Sequence, residues 1–243
     1  IGERPFTNCQ DLETIVVENG NEFYESPSGC NAIIEKSTNE LICGCKNTVI
    51  PNSVVSISDG AFECCSGLTS IEIPNSVVNI GMEAFSLCSG LTSIDLPESV
   101  KVIEESAFSQ SGLKSIVIPN SVKTIESYAF WGTPTESVTI GASVETIGAL
   151  AFMCQQLRSL TINCSSLRSV DARAFSACVN LSEIISQEEI PHEIPTDMFP
   201  ENVYTYATLI VPVGTKDKYK ETSGWNKFSK IVDNNEEQNG KEL

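Results

Sequence analysis

Seven phenylalanines divide most of this chain into nearly equal lengths, and no other feature restricts its fold as much. Phe62, Phe85, Phe108, Phe130, Phe152, Phe175 and Phe199 follow one another at intervals of 23, 23, 22, 22, 23 and 24 residues. The residues between them repeat too. Leu68 to Gly90 reads LTSIEIPNSVVNIGMEAFSLCSG, Leu91 to Gly112 reads LTSIDLPESVKVIEESAFSQSG, and Leu113 to Pro134 reads LKSIVIPNSVKTIESYAFWGTP. Weaker copies begin at Thr135 and Leu157, and the phase fades after Leu181. A fixed period in this range marks stacked repeats. One such unit cannot cover its own apolar face, so the copies must stack around a continuous core. The expected fold is a solenoid whose repeats run 22 to 24 residues.

Each copy has three parts. Ile71 and Ile73 alternate with Ser70 and Glu72, the period of two expected of a strand with one buried face. Pro74, Pro97 and Pro119 end this segment by removing a ladder donor, and the Asn-Ser or Glu-Ser that follows is turn chemistry. A second extended piece, Val77 to Ile80, leads to Ala84-Phe85, which is too short for a lasting helix and reads as one helical turn. The first strands of all repeats are expected to form a parallel sheet on one face, with short strands and helical turns on the other. The repeated phenylalanines fill the interior and form no aromatic binding box.

Cysteine placement follows the same period. Cys9, Cys65, Cys88, Cys154 and Cys178 each lie three residues before a strand leucine, and Gln110 interrupts that column. Ten cysteines in 243 residues fall well below the roughly 8–10% of a disulfide scaffold. The column members are a whole repeat apart with a single histidine, His192, to help, unlike the closely spaced pairs that hold zinc. They read as small buried hydrophobes with free thiols, and no metal is expected.

Glu18 to Asn47 breaks the period. CNAIIEK, STNE and LICGC resemble two short strands around a polar turn. Pairing symmetric about Ser37-Thr38 sets Ile33 opposite Ile42 and Cys30 opposite Cys45, where a disulfide could close, although the turn lacks an Asn-Gly signal.

Several functions are excluded or left without support. Thirty-two acidic and 15 basic residues give a formal charge of −17, which repels nucleic-acid phosphates and anionic lipid. The longest apolar run, Ala149 to Cys154, is far short of the ~20 residues that span a bilayer. His192 has no nucleophile and orienting acid in a recognisable arrangement, and no G-x-G-x-x-G, P-loop, H-E-x-x-H or calcium-loop pattern occurs. Glu104-Glu105 and Glu188-Glu189 are sequence neighbours that point different ways, which suits a solvated face better than a glycosidase pair. No catalytic residue, cofactor or metal ligand is assigned. Asn163-Cys164-Ser165 and Asn180-Leu181-Ser182 fit the N-glycosylation pattern, which matters only in a eukaryotic secretory route.

The unit LTSIxIPxSVxxIGxxAFxxCSGLTSI resembles the BspA-like leucine-rich repeat, found mainly in surface and secreted proteins of host-associated bacteria. The resemblance runs from about Ile1 to Asp233. IGERPF matches the phase of Ile80 to Phe85, so the chain is expected to begin inside a repeat with further repeats or a cap upstream. The hairpin after LETIVVENGNEFY is similar to a family feature, and LIVPVGTKDKYKETSGWNKFSKIVD resembles the family's terminal unit, with a last strand, a short helix carrying Tyr219, and Trp225 and Phe228 closing the core. Departures are Thr135 in a leucine position, Gln110 in the cysteine column and the Pro-rich IPHEIPTDMFP. The organisation read this way is a partial repeat at 1–17, an inserted hairpin at 18–48, leucine-rich-repeat solenoid turns at 49–205, a capping unit at 206–233 and a polar tail at 234–243.

The resemblance implies a non-enzymatic, adhesin-like module at the cell surface or outside the cell, binding a protein of a host or its extracellular matrix. Alternatives are a structural spacer that displays another domain and, more remotely, a glycan-active enzyme. The expected binding face is the first-strand sheet, with Ser70, Ser93, Ser115, Ser137 and Ser159 in one outward column and Glu72, Asp95, Val117, Thr139 and Thr161 in the next. Short side chains lose little entropy on binding and let an extended partner lie close. The competing account is that Ser and Thr simply suit an exposed strand.

Overall fold

A computed structural model describes residues 4–164 and 167–235. Ser165, part of one glycosylation pattern, and most of the polar tail lie outside the described residues.

The chain winds as a β-solenoid in which each repeat forms one coil. Strands β4 (Ser56–Ile57), β5 (Asn79–Ile80), β6 (Val102–Ile103), β8 (Thr124–Ile125), β10 (Thr146–Ile147) and β12 (Ser169–Val170) come from the second segments and pair in parallel. First segments supply β7 (Ser115–Val117), β9 (Ser137–Ile140), β11 (Ser159–Ile162), β13 (Glu183–Ser186), β14 (Thr208–Val211) and β15 (Lys230–Asp233), a parallel six-stranded sheet with β7 at one edge. Between the sheets, apolar side chains from every coil merge into one core.

The phenylalanine phase is the axis of that core. Phe62, Phe85, Phe108, Phe130, Phe152 and Phe175 stack with centroids 5.0 to 5.3 Å apart and planes within 10° of parallel. Phe199 tilts by 41°, where the Pro-rich copy distorts the coil. The segments carrying these rings are turns, not the helical turns expected. In each of the first four, one left-handed residue precedes the alanine (Gly60, Glu83, Ser106, Tyr128) and another follows two places after the phenylalanine (Cys64, Leu87, Gln110, Gly132). Alternate amides bond within the turn to the residue three before, as Ala84 does to the Gly81 carbonyl at 3.2 Å and Ser86 to that of Glu83 at 3.0 Å. Here the Phe62, Phe85, Phe108 and Phe130 amides donate to the alanine carbonyls of the next coil, at 2.7 to 2.8 Å. The turn therefore joins coils together, which offsets the cost of left-handed non-glycine residues.

Coils also approach closely just before Leu91 and Leu113. A Cβ at Gly90 or Gly112 would strike the carbonyl of Ser66 or Ser89 in the coil before, so only glycine fits.

The inserted segment is built into the sheet. β1 (Tyr24–Glu25) and β2 (Ala32–Glu35) pair antiparallel, β2 pairs antiparallel with β3 (Glu40–Gly44), and β3 continues in parallel onto β4. Glu35 faces Glu40 and Ile34 faces Leu41, as symmetry about Ser37-Thr38 requires. A bulge then shifts the register, and Ile33 faces Cys43 in place of the expected Ile42. That one-residue slip also removes the basis for pairing Cys30 with Cys45. Both thiols are free, one toward the Ala32 carbonyl at 3.7 Å and the other toward the Asn31 carbonyl at 3.4 Å.

At the other end, α1 (Glu201–Tyr206), α2 (Lys216–Glu221) and a 3-10 turn at Trp225–Lys227 cover the last coil. Tyr204, Tyr219, Trp225 and Phe228 are buried there.

Candidate functional site

The first-segment face is where the structure departs most from a uniform repeat. Register sets Ser115, Ser137 and Ser159 opposite one another and extends their column through Glu183, Thr208 and Lys230. Val117, Thr139 and Thr161 likewise align, and continue through Ile185, Ile210 and Val232. Ser115, Ser137 and Val117 are exposed, and Ser159, Thr139 and Thr161 half-buried. No aromatic side chain lies in either column.

Ser70, Glu72, Ser93 and Asp95 are exposed on the same face but belong to no strand. The expected sheet through every first segment is thus corrected: its ladder starts at Ser115. No backbone hydrogen bond joins residues 69–73 to 92–96, and only the Lys114 amide, donating to the Thr92 carbonyl at 3.1 Å, reaches from the next coil. The columns supply the reason. Glu72 and Asp95 put like charges on adjacent rungs, which opposes pairing, whereas Val117, Thr139 and Thr161 are β-branched and pack well on a pleated surface. Behind them β4, β5 and β6 stay paired, so the coils are held at the back and parted at the front.

The parted coils leave an open groove of about 970 Å³, bounded by Thr48–Asn52, Ser70–Asn75 and Asp95–Pro97. Its floor is apolar. Ile71 and Leu96 on this floor, and Ile94 beside it, pack on the core yet stay partly exposed; Ile73 is buried, as are the counterparts Ile116, Ile118, Val138, Ile140, Leu160 and Ile162.

The cysteine column is buried at Cys65, Cys88, Cys154 and Cys178 but not at Cys9, which is exposed near the start of the described chain and corrects the expectation of five buried thiols. Cys88 Sγ donates to the Phe62 carbonyl at 3.1 Å, Cys154 Sγ to that of Phe130 at 3.4 Å and Cys178 Sγ to that of Phe152 at 2.9 Å. Counted from the phenylalanine, the buried residue of the 91–112 coil is Ser111, and Gln110 is exposed, because that coil is one residue shorter. Thr133 holds the next such place, its hydroxyl within 3.2 Å of Cys154 Sγ. Thr135 replaces a leucine without leaving an orphan, donating to the Leu113 carbonyl at 2.8 Å.

Burial pushes these thiols up, Cys154 to about 11 and Cys164 to about 12 from an ordinary 9.0, with the Glu188 charge adding to the rise at Cys164. Cys88 and Cys178 are raised for the same first reason, burial. Two results follow. Ellman's reagent at pH 8 should modify exposed Cys9 in the folded protein but reach Cys88, Cys154 and Cys178 only after denaturation. Disulfides among Cys65, Cys88 and Cys178 in a non-reducing mass map would overturn that assignment. The folded state also holds thiol protons that the unfolded chain releases above pH 9. The thiol contribution to stability should therefore be constant below pH 9 and fall, by about 1.4 kcal/mol per pH unit for each such thiol, as pH rises toward 11. Urea midpoints across that window should drop less in a Cys154→Ala variant.

One contact was not legible in the sequence. Glu188 and His192, four apart across a proline, meet at 2.8 Å between Oε2 and Nδ1, and the Trp225 Nε1–H donates to the His192 carbonyl at 2.9 Å. Glu188 Oε1 and His192 Nε2 are buried without partners among the described residues, and the Trp225 bond ties this loop to the capping unit. The solvated face expected for the two acid pairs holds for Glu105 and Glu189 only: Glu188 is buried and Glu104 half-buried.

These features define a leucine-rich-repeat solenoid with an extended side face. The family described as "BspA type Leucine rich repeat region (6 copies)" matches residues 32–153 and 80–206, and the chain belongs to it. The pneumococcal vaccine antigen PcpA has a similar fold, with a TM-score of 0.63 and 22% identity over 90% of this chain. The chain spans 49% of PcpA. A leucine-rich repeat protein from Bacteroides ovatus has a TM-score of 0.37 at 20% identity, over 79% of this chain and 74% of its own. One from T. pallidum has a TM-score of 0.43 at 17% identity, over 81% of this chain and 95% of its own. No curated protein sequence matches. No helix among the described residues is long and apolar enough to cross a membrane.

Proposed function

We propose that this chain is a non-enzymatic protein-binding module of a bacterial surface or secreted protein, and that it engages its partner through the first-segment face. The observation that carries the reading is the paired sheet from Ser115 onward. From Ser115 to Thr161 its outward columns hold short hydroxyl and β-branched side chains in register, a surface that a protein can approach closely with little side-chain ordering. Solenoids use such extended faces for binding. Membership in a family with surface-protein members supports placement outside the cytoplasm and an adhesin-like role toward a host protein. The absence of aromatic platforms on the face favours protein over glycan.

The test is the triple variant Ser93→Lys/Ser115→Lys/Ser137→Lys. All three positions are exposed, so the variant should keep the wild-type circular dichroism and melting temperature. Wild type should bind extracellular-matrix proteins or host cells in a solid-phase assay, and the variant should lose at least about tenfold. Equal binding by the two proteins removes the sheet from consideration and moves the site to the hairpin between Gly29 and Cys45.

A further inference from the structure

We infer that the groove at the N-terminal end of this face is a slot for an extended peptide carrying lysine or arginine, seated by main-chain pairing. The inference deepens the protein-binding reading and rests on it. Three independent observations converge on the slot. First, residues 69–73 and 93–96 carry the same alternating pattern as the paired first strands, yet their amides and carbonyls make no hydrogen bond within the protein among the described residues. β7, at the edge of the six-stranded sheet, is open toward them except for the one Lys114–Thr92 bond. An extended chain is the ligand whose repeating donors and acceptors match such a row, as in strand addition to a sheet edge.

Second, the groove leaves apolar surface uncovered. Val49 is 65% exposed, and Ile71 and Leu96 on the floor are only partly buried although they point to the core. A strand laid there would place alternate side chains against them. The groove is open along three coils, a shape that suits an extended chain better than a compact small molecule.

Third, the charge has one sign. Glu72 and Asp95 stand at the groove, no lysine or arginine lines it, and neither acid has an ion-pair or hydrogen-bond partner among the described residues. The same two carboxylates that keep the coils from pairing with each other would be neutralised by a cationic side chain between them. Self-pairing is thereby disfavoured and pairing with a basic strand favoured, which gives the slot selectivity as well as affinity. Pro51, Pro74 and Pro97 close the far end of each segment and limit how far a strand can run.

The probe is a blocked, fluorescent peptide of alternating valine and lysine, titrated against the whole chain by anisotropy at physiological salt. Saturable binding is expected. A glutamate-for-lysine peptide should not bind, and a lysine peptide N-methylated at alternate amides should bind at least about tenfold more weakly, since methylation removes main-chain donors without changing charge. Glu72→Gln/Asp95→Asn should weaken the lysine peptide by about tenfold, while Glu189→Gln/Glu221→Gln, which removes the same charge from exposed sites at the other end, should change it by less than about threefold. Equal weakening by both variants would reduce the effect to the net charge of −17. Equal binding of the methylated peptide would exclude strand pairing. No saturable binding would leave Glu72 and Asp95 as edge guards against self-association. Each of those results overturns the slot. None touches the protein-binding reading if the wild type still loses its matrix or cell partner on the triple lysine substitution.

Discussion

Phe108→Ala is expected to lower the unfolding free energy by about 3 to 5 kcal/mol. Phe108 is fully buried and lies between Phe85 and Phe130, with centroids 5.3 Å away on both sides and planes 2° and 4° from parallel. Truncation removes contacts to two coils at once, and the cavity cannot collapse easily because the Phe108 amide still fixes the turn to the Ala129 carbonyl. In a stacked array each unit is stabilised through its neighbours alone. The damage should therefore also weaken cooperativity, seen as a lower urea m-value or as two transitions where the wild type has one. Phe23→Ala, at a ring that is 67% exposed, should stay within about 0.5 kcal/mol of wild type. A loss below about 1 kcal/mol for Phe108→Ala would place the ring outside the core and break the assigned phase.

Trp225→Ala should be as costly, about 3 to 5 kcal/mol, for a different reason. The indole is fully buried, meets Tyr219 edge-on at 5.6 Å and Phe228 at 6.2 Å, and donates to the His192 carbonyl. It packs the cap against the last coil and so protects a core that otherwise ends in open apolar surface. Trp225→Phe keeps most of the ring but leaves the carbonyl unpaired, at a cost of about 1 to 3 kcal/mol. Loosening the cap also exposes the apolar end of the core, so the alanine variant is expected to self-associate in light scattering at concentrations where the wild type does not. A monomeric, near-wild-type Trp225→Ala protein would show that the terminal unit covers nothing essential.

The slot and the cap illustrate how far residues alone can be read. The spacing of the phenylalanines, the alternation of Ile71 with Glu72 and the cysteines three places before each leucine were all legible, because each is a periodic demand of burial. Glu72 and Asp95 were also visible as members of a column. Their consequence was not, since a period says which side chains face outward but not whether neighbouring rungs bond. That outcome depends on a balance between like-charge repulsion and β-branched packing across a distance of one whole repeat. Ser111 escaped notice for a related reason: counting back from Leu113 selects Gln110, and only the turn itself shows which residue the shorter coil sends inward.

The sequence by itself determined that this chain is a stack: its period, its phenylalanine ladder, its free thiols and its belonging to the leucine-rich repeats follow from local patterns that recur every 22 to 24 residues. Tertiary structure alone decided where the stack opens and how it ends. The bulge that turns Ile33 toward Cys43, the unpaired front segments at 69–73 and 93–96, and the meeting of Glu188, His192 and Trp225 each depend on contacts between segments with no shared period. A repeat records what every coil has in common, whereas a site arises where one coil differs from the next.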